Sequence, residues 1–183
     1  MGEYGAARLF FVIFDSSGNR RSKTTNMNLP QQLATHFKTV YFGGNWTAVD
    51  LKNTLADVNW QQATTQIYRC NTIATLVFHM NYYVSNVLKV FQGQPLDAHD
   101  KDSFVHAPIE SEEDWEKLLQ KFWADAEAFI SQIEKLPESK LDEIFVNEKY
   151  GNYHRNIQGI VEHNHYHLGQ IVLLKKIMSQ LDE

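Results

Sequence analysis

Along four separate stretches of the chain, apolar residues return every three or four positions, the spacing that lines one face of an α-helix. The first begins at Pro30 and carries Leu33, Phe37, Val40 and Tyr41, with proline at a tolerated first-turn position and Gly43-Gly44 to end it. The second starts near Asn71 or Thr72 and runs to about Phe91 through Ile73, Leu76, Val77, Met80, Val84, Val87 and Leu88, before Gly93 and Pro95 close it. Ser111 opens the third, since its hydroxyl can take an orphan backbone N–H and Glu112, Glu113 and Asp114 suit the positive end of the helix dipole. Its buried face, from Trp115 through Phe122 and Phe129 to Ile133, extends to Leu136, where Pro137 stops it. The last follows Tyr150-Gly151-Asn152 and holds Ile157, Ile160, Val161, Leu168, Ile171, Val172 and Leu174. Strand-like alternation is absent, so the pattern predicts an all-α fold, a four-helix bundle with long connections.

Lesser elements fall between these stretches. Thr47 is expected to cap a short helix through Val49 and Leu55, and Trp60 to Ile67 to add a turn or two. Residues 93–110, rich in Gly, Pro, Asp and His, read as a long loop. Residues 1–26 read as an extension outside the fold, because the polar run from Ser16 to Asn26 separates the apolar stretch Leu9 to Phe14 from everything downstream. Met27 is then the expected natural start and residues 27–183 form one domain; the alternative is a strand or docking arm made by Leu9 to Phe14.

Composition narrows the function classes. Apolar residues make up 43% and charged residues 21%, an ordinary globular balance. The net charge of -5 and the scatter of Lys and Arg provide no basic stripe for nucleic acid. Leu9 to Phe14 is too short to span a membrane, and the one cysteine, Cys70, allows neither an intrachain disulfide nor a Cys-rich zinc site. A cytoplasmic protein acting on a small molecule is the expectation.

The chemistry concentrates in the last helix, at Glu162-His163-Asn164-His165-Tyr166-His167-Leu168-Gly169-Gln170. Residues four apart lie on one helix face about 6 Å apart along the axis, so His163 and His167 can turn their imidazoles toward one divalent ion. His165 lies roughly 200° round from His163 and is a poor third ligand. Asn156, Ile160 and Gln170 share the strip with the pair, and buried polar groups there need satisfying. A third ligand has to come from another long helix, and His79 stands mid-helix among apolar neighbours, with Thr72, Thr75, Tyr82, Tyr83 and Asn86 on or near its face.

The His79 helix, the stretch Gly44-Asn45-Trp46-Thr47 and above all Gly159 to Ile171 resemble the DinB-like superfamily over about residues 28–180. That resemblance implies a four-helix bundle with a three-histidine metal site, and His79, His163 and His167 match the ligand positions. Residues 1–26 have no counterpart in the pattern. Some members are transferases that use a low-molecular-weight thiol such as bacillithiol, glutathione or mycothiol, one related group includes a mycothiol-dependent isomerase, and many members have no established activity.

Three imidazoles leave a divalent ion with open positions, whereas structural zinc is normally closed by four protein ligands. An ion so held can present a thiol as thiolate, for thiol transfer, or water as hydroxide, for hydrolysis. Imidazole ligands suit zinc, nickel, iron and copper, and zinc or nickel is the expected ion. A zincin mechanism is disfavoured, because Asn164 stands where a Glu should follow the first His of the pair. Asn45, Trp46, Tyr83 and Asn156 are candidate substrate-binding residues, the Asn45-Trp46 loop as a cover for the metal mouth or, alternatively, as a helix stop anchored by a buried Trp. Arg155 can take a substrate carboxylate, and Tyr83, Tyr150 and His154 are candidate bases. The competing readings are non-enzymatic: a homodimeric bundle that keeps the metal as a clip, or a ligand sensor.

Overall fold

The computed structural model describes residues 27–181, whose regular secondary structure is helical apart from one isolated bridge between Ile144 and Asn152. The sequence expectations for residues 1–26 lie outside the described residues. Among the described residues six α-helices run in the order α1 (Leu29–Phe42), α2 (Leu51–Leu55), α3 (Trp60–Thr64), α4 (Ile73–Phe91), α5 (Glu112–Glu134) and α6 (Tyr153–Leu181). Short 3-10 turns occupy Asp100–Asp102, Glu138–Asp142 and Glu148–Tyr150.

The helix starts follow from local side-chain chemistry. Asn28 and Gln31 form a reciprocal capping box on α1. Thr72 caps α4 and Ser111 caps α5, each accepting from the backbone N–H three residues on. The cap of α2 is Asp50, not Thr47: the Asp50 carboxylate accepts from the Asn53 amide at 2.9 Å. An ionised acceptor in the half-turn before Leu51 outcompetes a hydroxyl three residues too early, which instead donates to Asn45 Oδ1. Gly43 ends α1 with φ +95°, a backbone that L side chains rarely adopt.

The four long helices share one core. Each of α1 and α4 packs on both α5 and α6. Phe37 and Tyr41 of α1 lie against Phe129 and Phe122 of α5, with ring centroids 4.9 Å apart in both pairs, and all four rings are fully buried. Burial of each such ring stabilises by roughly 1.5–3 kcal/mol. Trp115 is also fully buried, and its indole N–H donates 2.8 Å to the Val58 carbonyl, tying the start of α5 to the segment between α2 and α3. Glu112 accepts from the Trp60 backbone amide in the same region.

Two connections position the site. After α4 the chain returns through Asp100–Asp102, and Tyr82 of α4 clasps it by bonding both the amide and the carbonyl of His99. Before α6 a turn at Gly151, φ +73°, lets Phe145 and Tyr153 exchange backbone bonds with Gly151 and Glu143. These two loops flank the same cavity.

Candidate metal centre

His79 lies in the middle of α4 and His163 and His167 in the middle of α6, each where an apolar stripe turns its polar members inward. Nε2 of His163 stands 3.0 Å from Nε2 of His79 and 3.1 Å from Nε2 of His167. Two nitrogens each about 2.0–2.1 Å from one ion, at tetrahedral or octahedral angles, lie roughly 2.9–3.4 Å apart. The separations found therefore suit a shared divalent ion, and all three residues fall within metal-holding distance of one another.

Hydrogen bonds on the far sides of two rings fix which nitrogen is free. The Ser103 hydroxyl donates its proton to the Asp100 carbonyl, so its oxygen faces His79 Nδ1 as an acceptor at 3.1 Å, beside the Ser103 carbonyl at 3.2 Å. His79 accordingly carries its proton on Nδ1, leaving a lone pair on Nε2. His167 Nδ1 donates to Gln170 Oε1 at 2.7 Å with the same result. Such outer contacts orient metal-binding imidazoles and raise their basicity. Phe104 stacks on the His79 ring with centroids 3.8 Å apart, holding its plane.

His163 then faces two lone pairs with at most one proton on its own Nε2, and its Nδ1 is buried without a partner. Burial pushes its pKa down to about 3, with the charges of His167 and His79 acting in the same direction. Burial likewise lowers His79, helped by His167, and lowers His167 against the opposing bond from Gln170. A further proton is thus disfavoured among the three rings, whereas a divalent cation satisfies all three lone pairs together. The donor set fits a metal.

A cavity of about 780 Å³ opens beside this cluster, with His79 and His163 in its wall. Tyr83 and Asn156 also line it; the Tyr83 hydroxyl donates 2.8 Å to Asp100, and burial raises its pKa. Asn156 spends its amide N–H on the Tyr150 and Asn152 carbonyls. Tyr150 and Arg155 reach the cavity as well. Asn45 and Trp46 are not among its lining residues. Asn45 spends its amide on the Thr39 and Val49 carbonyls, and Trp46 is fully exposed, so the buried Trp anchor is not found. Thr75 turns away to His106, and His165 stacks at a tilt against His36 of α1.

Ser103, Phe104, Asp100, Lys101 and Lys149 come to the site without a sequence signal. They belong to loops and short 3-10 turns, where no periodicity relates a residue to the helix it will cover.

A family model of the DinB superfamily matches residues 45–171, which include all three histidines. Comparison with curated proteins and with solved structures gave no match.

Proposed function

Since the chain belongs to the DinB superfamily by that match over most of its length, we propose that it is a divalent-metal-dependent enzyme that transfers a low-molecular-weight thiol to a small electrophile. The observation that carries this reading is the convergence of three Nε2 atoms beside an open cavity. His79, His163 and His167 would hold the ion; imidazole donors suit zinc, nickel, iron and copper alike, and zinc or nickel is the choice tested. When bound, the metal supplies a Lewis acid that makes a thiol acidic at neutral pH. The pairing of α1 and α4 each with both α5 and α6 supports the four-helix bundle implied for the family.

The chain's own residues have separable tasks. Ser103 and Gln170 hold two imidazoles in the tautomer that presents Nε2. The buried faces of α4 and α6 exclude water from one side, and Phe104, itself exposed, covers one face of the His79 ring. Asp100, at the cavity wall and bonded to Tyr83, is placed to accept a proton from an incoming acid.

The test is consumption of a model electrophile by zinc-loaded protein in the presence of a panel of thiols. Turnover that needs both thiol and metal supports the reading, and its absence across the panel contradicts it. Hydrolysis is the alternative, favoured by the Asp100 carboxylate as a base for water. Ester or amide cleavage without any thiol would select it.

A further inference from the structure

The cavity beside the histidines has the opposite charge balance to the chain that forms it. The protein carries 22 acidic against 17 basic side chains. The cavity wall nevertheless presents Lys101, Lys149 and Arg155 against the single carboxylate of Asp100, which is already engaged by the Tyr83 hydroxyl. Among the described residues none of these three cations forms an ion pair. Two of them come from the loop before α6 and its first turn, and the third from the loop after α4, so both walls of the cavity contribute.

A second observation is independent of charge. Asn86 of α4 lines the same cavity and is only 4% exposed. Its amide N–H donates 2.8 Å to the Tyr82 carbonyl, but its Oδ1 is buried with no partner. An orphan acceptor of that kind is satisfied only by a hydrogen-bond donor; a carboxylate only accepts, so the donor has to come from the body of a ligand in the cavity. The same wall also presents apolar side chains, Val87, Leu96, Phe145 and Ile160.

We propose that this cavity selects a small organic carboxylate, its anionic end held by Arg155, Lys149 and Lys101, its body against the apolar wall and its other end at the three histidines. Guanidinium recognises carboxylate with two parallel bonds, and the lysines add charge without fixed geometry. The inference deepens the proposed function and rests on its metal centre, but not on its thiol chemistry. Under it, the thiol or the electrophile carries a carboxylate.

The experiment is calorimetric titration of zinc-loaded protein at low salt with mercaptohexanoate and with mercaptohexanol, which differ in the terminal group. A second pair, adipic monohydroxamate and hexanohydroxamate, reaches the metal without a thiol. The expected result is about tenfold or tighter binding of each acid than of its neutral partner, as for one charge-assisted contact. That preference shrinks as salt rises and falls toward unity in Arg155→Gln combined with Lys149→Gln, two exposed positions at which the fold is retained, as circular dichroism checks. Equal binding of acid and neutral partner in the unmodified protein, within whichever pair binds, overturns the proposal. If neither thiol binds but the hydroxamate pair shows the preference, carboxylate selection stands and thiol transfer falls.

Discussion

The Ser103 hydroxyl oxygen stands 3.1 Å from Nδ1 of His79, so a loop residue decides which nitrogen of a helix residue faces the other two imidazoles. Replacing it by alanine removes one of two acceptors and leaves the Ser103 carbonyl at 3.2 Å. Zinc affinity of Ser103→Ala is expected to fall by about tenfold, the low end for loss of an outer contact. Competition titration with a chromophoric chelator measures it. Unchanged affinity would mean that the carbonyl alone orients the ring.

The metal-free protein should lose stability in acid over a defined window. His79, His163 and His167 all have folded pKa values below the ordinary 6.5, His163 at about 3. Between these limits the unfolded chain takes up protons that the folded chain refuses, so the stability conferred by the neutral rings is full above about 6.5 and is lost as pH falls toward about 3. Thermal unfolding of metal-free protein at a series of pH values should show the fall. With zinc bound the midpoint should be higher at neutral pH and drop more steeply once protons displace the ion. A flat profile for metal-free protein across that range would contradict the burial assigned to the three rings.

Gly159 lies within α6 and lines the cavity, and a Cβ built there meets nothing within 4 Å. Gly159→Ala should stabilise the protein by about 0.5–1 kcal/mol, read as a rise in the denaturation midpoint, because glycine inside a helix is unfavourable by that amount. Gly159→Trp should fill the cavity, weakening ligand binding while metal content stays the same. Loss of metal in that variant would show the two regions to be coupled.

Trp115 tests the core away from the site. Trp115→Phe removes the bond to the Val58 carbonyl and part of a fully buried ring. The expected loss is about 2–3 kcal/mol in denaturant unfolding, combining a stranded acceptor with an unfilled space. A loss below about 0.5 kcal/mol would show that this end of α5 opens before the rest, as locally unstable regions do.

The helices and the three histidines were legible in the sequence for one physical reason: each signal repeats with the helical period. Leu33, Phe37 and Tyr41 mark a face, and His163 and His167 mark a point on one. His79 is marked by the apolar residues that flank it on a second long helix, and the structure buries it. What escaped reading is loop chemistry. Asp50 in place of Thr47 as the α2 cap is a choice between two capable side chains three residues apart, decided by Asp50 standing directly before Leu51 while Thr47 bonds Asn45. Ser103 sits 24 residues from His79, a separation that carries no regular geometry. Trp46, the residue whose size most suggested an anchor, points into solvent.

Metal content of protein purified without an affinity tag tests the account most directly. The unmodified protein should hold about one equivalent of zinc or nickel per chain after dialysis, and His163→Ala, which removes the nitrogen common to both close contacts, should hold little. Substoichiometric metal in the unmodified protein that is unchanged in His163→Ala would contradict it.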